Sequence, residues 1–280
     1  MKMGVIGSGT MGNGIAQVMA TAGYQVVLCD NNSVALEKAK NTIDTNLIRV
    51  FKRQKKDVNE IGEVIERITF TTDITEMRGQ DLVIEAIIEN IDAKKSLFAE
   101  LDKICKDNTI IASNTSGLSI TELGAVTKRA DKVIGMHFFN PVPVMGLVEV
   151  IRGSNTSDPT YEFVIGLVES IGKESISILD TPLFVVNRIL VPMINEAIFL
   201  LSEGVVSAED IDKGMKLGAS HAIGPLALAD MIGLDTMLFV AETLFEETGD
   251  PKYRVPPLLR KHVRAGNLGR KSGKGFYEYY

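Results

Sequence analysis

A histidine and a glutamate twelve positions apart are the residues of this sequence best suited to acid–base chemistry. His137 ends a short apolar segment, and Glu149 lies inside the next one. An imidazole titrates near neutral pH, so it can take a proton from an alcohol, and a neighbouring carboxylate can hold and orient it. We therefore predict that His137 is a general base whose partner is Glu149. A buried histidine that only caps a strand is the alternative.

A glycine pattern near the start of the chain is typical of phosphate binding. Gly7, Gly9 and Gly12 form G-x-G-x-x-G directly after a predicted strand and directly before a predicted helix. The first glycine permits a tight turn, the second lets a pyrophosphate approach the backbone, and the third allows the helix to pack on the strand. The helix N-terminus, at Thr10 and Met11, attracts anions. We predict a dinucleotide site; a glycine turn without a ligand is the alternative.

Asp30 indicates which dinucleotide would bind. It ends the second predicted strand, where an acidic residue can hold the ribose hydroxyls. Its carboxylate would repel a 2′-phosphate, and the residues that follow, Asn31-Asn32-Ser33, include no arginine to receive one. The sequence therefore favours NAD over NADP as the cofactor.

A third polar group, Ser113-Asn114-Thr115-Ser116, follows another predicted strand. Small hydroxyl and amide side chains there can hydrogen-bond a substrate oxygen or the nicotinamide amide. The alternative is a capping cluster for the next helix, where Ser119 and Glu122 resemble a capping box. The two interpretations involve different residues, so both can hold.

The elements that would position these residues alternate between short apolar strands and longer helices. The predicted strands are Gly4–Ile6, Val26–Leu28, Ile68–Phe70, Leu82–Ala86, Thr109–Ala112, Val133–His137, Leu147–Ile151 and Ser175–Leu179. The predicted helices are Met11–Thr21, Ser33–Lys56, Val58–Glu66, Ala93–Cys105, Ile120–Val126 and Tyr161–Ile171. Such alternation is typical of parallel strands joined by right-handed crossovers, so we predict a doubly wound, Rossmann-type α/β sheet.

The pattern becomes helical after Asp180-Thr181-Pro182. The predicted helices here are Ile189–Glu203, Ala208–Leu217, Pro225–Met237 and Leu238–Glu247. A proline disfavours helix in the residue before it, which suits a linker. We predict a Rossmann-type domain over 1–182 and a smaller all-helical domain over 183–280.

Composition excludes several other classes of protein. The net charge is −6, whereas nucleic-acid binding usually requires a basic surface. Only two cysteines occur, Cys29 and Cys105, and no CxxC, HExxH or histidine cluster is present, so we expect reduced thiols and no metal site. No signal peptide and no membrane-spanning run is apparent, and we expect a cytoplasmic protein.

Seven segments spread over the whole chain resemble one family. They are GSGTMGNGIA (7–16), DLVIEAIIEN (81–90), ASNTS (112–116), GMHFFNPVPVM (135–145), LVEVI (147–151), FVVNRIL (184–190) and GRKSGKGFY (269–277). In this order they resemble the L-3-hydroxyacyl-CoA dehydrogenases, and most closely the bacterial members that act on 3-hydroxybutanoyl-CoA in butanoate and fatty acid metabolism. The resemblance implies an NAD-dependent interconversion of (S)-3-hydroxybutanoyl-CoA and acetoacetyl-CoA.

The resemblance also implies residue roles. His137 would be the general acid and base and Glu149 its partner, while Ser116 and Asn187 would position the reacting oxygen and the cofactor. The cofactor contacts implied are Gly7, Gly9, Thr10, Met11, Gly12, Asp30, Glu89, Lys94, Asn114 and Lys271. The substrate contacts implied are Ser116, Asn140, Asn46 and Arg53. A homo-oligomer built on a dimer through the helical domain is also implied.

The long helix predicted at 33–56 carries cations that agree with an acyl-CoA substrate. Arg49, Lys52, Arg53, Lys55 and Lys56 form a basic cluster on an otherwise acidic protein. Such a cluster can bind the phosphates of coenzyme A. A solvated helix end, whose cations suit the helix dipole, is the alternative.

The chain departs from the family pattern at a few positions. Relatives carry glycine at the position of Leu183, lysine at Gly146 and serine at Gly117, and the stretch 219–227 also differs. Because a left-handed backbone is costly for leucine, we predict an ordinary, negative φ at Leu183. Two other functions remain open at this point: a dehydrogenase of a 3-hydroxy acid without coenzyme A, and a non-catalytic NAD-binding protein of the same fold.

Overall fold

A computed structural model describes residues 1–54, 57 and 60–279 of the chain. The chain divides into two compact units, residues 1–181 and 182–280. Each unit has a hydrophobic core of its own and is described by itself.

The first unit is an α/β structure, and its eight predicted strands are confirmed to within two residues at each end. The strands are β1 (Lys2–Ile6), β2 (Gln25–Cys29), β3 (Ile68–Thr71), β4 (Leu82–Glu85), β5 (Ile110–Ser113), β6 (Val133–Phe138), β7 (Leu147–Arg152) and β8 (Glu174–Leu179). The helices are α1 (Thr10–Thr21), α2 (Ser33–Gln54), α3 (Ile61–Glu66), α4 (Ile91–Ile104), α5 (Ile120–Ala125) and α6 (Asp158–Ser170).

The eight strands form one sheet in the order β3-β2-β1-β4-β5-β6-β7-β8. Strand β1 lies between β2 and β4 and is parallel to both. The chain therefore leaves β1 towards one side of the sheet and returns on the other side of β1 at β4. In open α/β sheets, ligands bind beyond the carboxyl ends of the strands at such a reversal of strand order. The predicted doubly wound sheet is confirmed.

One pair of neighbouring strands departs from the parallel arrangement. Strand β7 runs antiparallel to β6, whereas β8 is parallel to β7. The connection between β6 and β7 contains no helix. A parallel return needs a crossover of about a dozen residues or more, usually a helix, so this shorter connection allows only an antiparallel pair. The parallel arrangement expected for strands that alternate with helices thus does not extend to β6 and β7, whose directions the sequence did not predict.

Apolar side chains on one face of the sheet build the large core cluster of the first unit. Val5, Leu28, Ile84 and Val150 are buried on the strands, and Met19 of α1 is buried with them. The alternating pattern of apolar strands and amphipathic helices in the sequence requires this layered arrangement, because each element can bury its apolar surface only against the next.

In the first unit one helix begins clearly earlier than predicted, and two predicted helix ends lie outside the described residues. Helix α6 begins three residues earlier than predicted, because the Ser157 side chain accepts from the N–H of Thr160 and Pro159 suits the first turn. Helix α2 is described as far as Gln54; the predicted end at Lys56 and the predicted start of the next helix at Val58 lie outside the described residues. The described part of α3 begins at Ile61.

The second unit consists mainly of helices. They are α7 (Val186–Ser202), α8 (Ala208–Gly218), α9 (Pro225–Ile232), α10 (Leu234–Thr248) and α11 (Pro257–Arg264). Their core includes Ile194, Ile198, Leu226 and Leu259. Two strongly buried carboxylates also join elements of this unit: Asp212 accepts from the first N–H groups of α9, and Asp230 accepts from the backbone near the end of the chain.

The predicted helix break between Met237 and Leu238 is wrong. The break lies at Gly233, whose φ of 102° ends α9 and begins α10. A backbone with this φ is accessible to glycine but strained for other residues, so the glycine, rather than the apolar pattern, determines the boundary. Helix α11 was not predicted.

The prediction of an ordinary backbone at Leu183 is also wrong. Both Leu183 and Phe184 have a φ of 58°, in the left-handed region. The Leu183 side chain is buried against Leu244 and Tyr253. Burying a leucine stabilises the fold by about 2 kcal/mol, which offsets the roughly 1–2 kcal/mol that a left-handed backbone costs.

Among the described residues, no helix combines the length and the apolar character needed to cross a bilayer.

Candidate active site

The glycine-rich turn after β1 leaves no room for side chains at two of its three glycines. Gly7 has a φ of 95°, and a Cβ placed on it would lie 2.5 Å from the carbonyl oxygen of Ala86. A Cβ on Gly12 would lie 1.7 Å from the carbonyl oxygen of Gly7. A Cβ on Gly9 would meet no atom within 4 Å, so a ligand can approach the backbone there. These are the three roles predicted for the motif.

The N-terminus of α1 is open to an anion. Its N-cap residue, Gly9, supplies no side-chain cap, and the first turn contains no acidic residue. The N–H groups of this turn and the positive end of the helix dipole therefore face the glycine-rich turn without competition from a carboxylate. This arrangement suits a pyrophosphate.

Asp30 lies directly beyond the end of β2 and is tied to the same turn. Its Oδ2 accepts from the Ser8 backbone N–H at 2.7 Å and from the Ser8 hydroxyl at 2.8 Å. Its Oδ1 accepts from the N–H of Asn32 at 3.0 Å. The carboxylate is therefore fixed in position beside the glycine-rich turn, as a ribose-binding group must be.

A cavity of about 880 Å³ runs along these elements. It is lined by Gly7, Gly9 and Asp30, by Cys29, and by the segment Ala86–Ile88 after β4. Burial raises the pKa of the Cys29 thiol to about 11, so the thiol stays protonated and unreactive at neutral pH. A mostly apolar cavity with a few fixed polar groups is typical of a cofactor site, and its residues fit a dinucleotide.

His137 and Glu149 form a buried pair, as predicted. His137 Nδ1 lies 2.6 Å from Glu149 Oε2, and the two residues face each other in the register of β6 and β7. The exposed fraction of the side chain is 5% for His137 and 0% for Glu149. An ionised carboxylate can only accept a hydrogen bond, so Nδ1 carries the hydrogen of this bond.

A buried lysine holds the connection from β6 to β7 in place by two hydrogen bonds. Lys173 Nζ donates to the carbonyl oxygens of Val142 and Met145 at 2.7 and 2.6 Å, and burial lowers the pKa of its amine. Val142 packs closely against α1, since a Cβ on Gly14 would lie 2.9 Å from the Val142 Cβ. The connection that follows His137 is thus held against the helix that begins at the glycine-rich turn.

Asn114 and Ser116 lie beyond the end of β5, between β4 and β6. Asn114 Oδ1 accepts from the Phe138 N–H at 2.9 Å, which ties this loop to the strand that carries His137. Glu89 Oε1 accepts from the Ser116 N–H at 2.8 Å and from the Thr115 hydroxyl at 2.5 Å. The predicted capping cluster is present as well, because Ser119 accepts from the N–H of Glu122 at 3.2 Å.

Lys94 and Glu89, both predicted to contact the cofactor, are bound to each other. Lys94 Nζ lies 3.2 Å from Glu89 Oε2 and 2.5 Å from Glu85 Oε1. Only 1% of the Lys94 side chain is exposed. Glu85 was not among the predicted site residues. A glutamate inside the apolar run Leu82–Ile84 and Ala86–Ile88 was the signal that could have identified it, because a buried carboxylate needs a partner.

Two further cavities lie along α2. One, of about 460 Å³, is lined by Ser8 and Gly9 of the glycine-rich turn, by Lys38 and Asn46 of α2, and by Asn140 after β6. The other, of about 560 Å³, is open and is lined by α2 side chains that include Lys38, Asn46 and Arg49. The structure therefore places Asn46 and Asn140, two predicted substrate contacts, on one cavity.

The remaining predicted residues lie farther along α2 or in the second unit. Arg53 is exposed near the end of α2, two turns beyond Asn46, and Lys55 and Lys56 of the predicted basic cluster lie outside the described residues. Asn187 lies in the first turn of α7 in the second unit. Lys271, in the same unit, has its Nζ 2.6 Å from Asp235 Oδ2. The predicted contacts of Asn187 and Lys271 with cofactor or substrate remain predictions.

Comparison with known families assigns both units. Residues 2–181 match the NAD binding domain of 3-hydroxyacyl-CoA dehydrogenases, and residues 184–279 match the C-terminal domain of the same enzymes. The chain belongs to the 3-hydroxyacyl-CoA dehydrogenase family. The resemblance noted in the sequence is thereby confirmed, and the first unit is an NAD-binding domain.

Similar members of the family match over their whole length. A 3-hydroxybutyryl-CoA dehydrogenase of Clostridioides difficile is 50% identical over 279 residues, which are 100% of this chain and 99% of that protein. A probable 3-hydroxybutyryl-CoA dehydrogenase of Bacillus subtilis is 53% identical, over 98% of this chain and 96% of the relative. The crystal structure of (S)-3-hydroxybutyryl-CoA dehydrogenase from Ralstonia eutropha has a TM-score of 0.96 and 53% identity, covering 100% of this chain and 99% of the other.

Proposed function

We propose that this member of the 3-hydroxyacyl-CoA dehydrogenase family interconverts (S)-3-hydroxybutanoyl-CoA and acetoacetyl-CoA with NAD. The observation that carries the proposal is the buried pair of His137 and Glu149, located on the same sheet edge as the dinucleotide cavity. A proton acceptor and a hydride acceptor at the same edge of one sheet are what the oxidation of a secondary alcohol requires. The relatives named above support the choice of substrate.

In the oxidation, the residues of this chain handle the proton. His137 Nε2 takes the proton of the 3-hydroxyl group. Bound NAD would supply the acceptor for the hydride of C3. The imidazolium that forms is stabilised by Glu149, whose carboxylate lies 2.6 Å from Nδ1. In the reverse direction His137 returns the proton to the oxygen of the ketone. We assign to Ser116 the binding of that oxygen, since its loop is fixed by Glu89 and by Asn114.

The cofactor is held mainly by the turn after β1. Gly9 and the first N–H groups of α1 would bind the pyrophosphate, and Asp30 would bind the hydroxyls of the adenosine ribose. Ala86–Ile88 form an apolar wall of the same cavity. Because Asp30 already accepts three hydrogen bonds, its carboxylate cannot turn away from a 2′-phosphate.

We propose that α2 binds the coenzyme A part of the substrate. Asn46 and Lys38 line both cavities along this helix, and Arg49 and Arg53 follow on it. Their cations suit the phosphates of coenzyme A. The alternative of a solvated helix end predicts that replacing these side chains leaves the affinity for the substrate unchanged.

We also propose a cytoplasmic homodimer. Apolar side chains are exposed in the second unit, including Ile189, Leu217, Met231 and Phe239. Such a surface is typical of an association site. Both cysteines are buried thiols, in keeping with a reducing compartment. Light scattering at several protein concentrations tests the dimer.

A steady-state assay tests the proposed reaction. Acetoacetyl-CoA should be reduced with NADH, and the same assay with free acetoacetate should give a kcat/KM lower by at least about two orders of magnitude, because the contacts along α2 are absent. Equal activity on the free acid would support a dehydrogenase of a 3-hydroxy acid without coenzyme A. Binding of NADH without turnover of either compound would support a non-catalytic protein.

A further inference from the structure

A buried cluster of charges joins β4, α4 and β5 at the carboxyl edge of the sheet. The Glu85 side chain has no exposed surface and the Lys94 side chain 1%, and their charged atoms lie 2.5 Å apart. Ser113 donates its hydroxyl to Glu85 Oε2 at 2.7 Å. Glu85 Oε1 also accepts from the N–H of Ile87 at 2.7 Å. We call these two carboxylates and one ammonium group, Glu85, Glu89 and Lys94, the carboxylate triad.

The topology places the nicotinamide half of the cofactor beside this triad. Asp30 follows β2 and the glycine-rich turn follows β1, so the dinucleotide crosses the sheet edge from β2 towards β1. Its far half must then lie over β4 and β5, the next strands in order, before His137 at the end of β6. Glu85 ends β4 and Ser113 ends β5. The wall segment Ala86–Ile88, one hydrogen bond from Glu85, lines the cofactor cavity.

The triad carries a surplus negative charge. It contains two carboxylates and one ammonium group, so its net charge is −1 when all three groups are ionised. The nicotinamide ring is positively charged in NAD⁺ and neutral in NADH. A fixed negative charge near the ring therefore attracts the oxidised cofactor only, and burial limits the screening of this attraction.

We propose that Glu85 is a positioning residue that holds Lys94 and the loop before α4, and that the surplus charge of the triad favours binding of NAD⁺ relative to NADH. The proposal rests on the proposed function only in taking NAD as the cofactor. It concerns the affinity for the two redox forms, which can be measured without any acyl-CoA.

Glu85→Gln provides the direct test. The amide keeps the shape of the side chain: its oxygen can still accept from the Ile87 N–H, and its NH2 group can donate to the Ser113 hydroxyl. The substitution removes one negative charge and leaves the triad neutral. The dissociation constant of NADH is measured from its fluorescence, and that of NAD⁺ by competition. The dissociation constant of NADH divided by that of NAD⁺ is the preference for NAD⁺, called the ratio below. Glu85→Gln should lower the preference for NAD⁺ about fourfold, the effect of one charge across about 10 Å at an effective dielectric constant of about 40.

The double variant Glu85→Gln/Lys94→Met separates charge from position. It removes the ion pair altogether, but Glu89 remains and the net charge of the cluster returns to −1. The ratio should therefore return close to that of the unmodified protein, although the absolute affinities fall. A purely structural role of Glu85 requires the double variant to show a ratio as low as the single variant or lower, and that result would overturn the proposal.

Two control variants accompany this comparison. Asp81→Asn removes one charge at the other end of β4, where Asp81 pairs with the exposed Lys106, and should leave the ratio unchanged. Ser113→Ala removes a hydrogen bond to Glu85 without changing charge and should also leave the ratio unchanged. A ratio that is unaltered in Glu85→Gln, or that shifts equally in Asp81→Asn, contradicts the proposal.

Glu89→Gln covers the case in which Glu85→Gln does not fold. Its side chain is 30% exposed, so the substitution is easily accommodated, and it removes the same unit of charge. The ratio should fall in the same direction, and an unchanged ratio overturns the proposal. If the unmodified protein binds neither NAD⁺ nor NADH, the proposed function itself fails, which is a distinguishable outcome.

Discussion

His137 and Glu149 face each other in the register of the antiparallel strands β6 and β7, with Nδ1 and Oε2 2.6 Å apart. The pairing of the two strands therefore fixes the orientation of the imidazole, because both side chains are carried by strands and not by loops. Because both side chains are almost fully buried, neither can rotate towards solvent without breaking the pair.

The first prediction concerns this pair. His137→Gln keeps a hydrogen-bonding side chain but removes the group that titrates, so kcat for acetoacetyl-CoA reduction should fall by about 10²–10⁴. Glu149→Gln should also be slow, since the imidazolium loses its counter-charge. The dissociation constant of NADH should stay within about threefold of its original value in both variants, because loss of proton transfer does not weaken ground-state binding. His221→Gln, in the second unit, serves as the control, and near-normal turnover of His137→Gln would contradict the assignment.

The second prediction concerns cofactor choice. NADH should exceed NADPH in kcat/KM by at least about tenfold, because a charge repulsion near 1.4 kcal/mol is sufficient for that ratio. Asp30→Ala should narrow the difference mainly by weakening NADH, since it removes both the predicted ribose contact and the two hydrogen bonds to Ser8. Steady-state kinetics with both cofactors measure the effect. Equal use of the two by the unmodified protein would refute the role given to Asp30.

The third prediction concerns the strained backbone at Leu183. Leu183→Ala should lower the free energy of unfolding by about 2–4 kcal/mol, because it opens a cavity beside Leu244 and Tyr253. Leu183→Gly removes more of the side chain but also relieves the left-handed strain, so it should be more stable than Leu183→Ala by about 1 kcal/mol. Urea denaturation of the two variants makes the comparison. If Leu183→Gly is the less stable of the two, the strain at this residue is negligible.

The fourth prediction concerns pH and His262 of α11. Its ring lies 4.8 Å from that of Phe276, and burial lowers its pKa, although Asp230 acts in the opposite direction. An unfolded histidine takes up a proton near pH 6.5, whereas folded His262 does so only at lower pH. The unfolded state therefore binds more protons below about pH 6.5, and this histidine makes the protein less stable as pH falls from there through the folded pKa.

His262→Gln removes this effect. Its Tm should fall less between pH 7 and pH 5 than the Tm of the unmodified protein, while the two should respond alike between pH 7 and pH 8. Calorimetry over this range provides the measurement. Identical acid dependence in both proteins would show that His262 takes up its proton equally in the folded and unfolded states.

Much of the sheet was predictable because each strand is a short apolar run followed by a turn, and such runs must be buried side by side. His137, Glu149, Asp30 and the glycine motif were predictable because each follows or lies in such a run. The direction of β7 was not predicted, because residue patterns record burial and not strand direction. Gly233 was missed because the apolar periodicity continues through it.

Glu85 and Lys173 were missed for a different reason. Each is a charged residue within or beside an apolar element, and only the fold reveals the partner that makes its burial tolerable. For Glu85 the partner is Lys94, nine residues later; for Lys173 the partners are two carbonyl groups about thirty residues earlier. Leu183 was predicted wrongly because its burial against Leu244 and Tyr253, which are distant in sequence, outweighs the preference of leucine for a negative φ.

The hairpin of β6 and β7 has a consequence for how this enzyme can be altered. The segment 133–152 carries both members of the pair proposed to exchange the proton, whereas the segment 2–30 carries the glycine turn and the aspartate proposed to bind the cofactor. The residues proposed to exchange the proton and those proposed to hold the pyrophosphate and the adenosine ribose thus belong to separate stretches of chain. A designer could therefore substitute Asp30 to change the choice between NAD and NADP without altering either member of the pair.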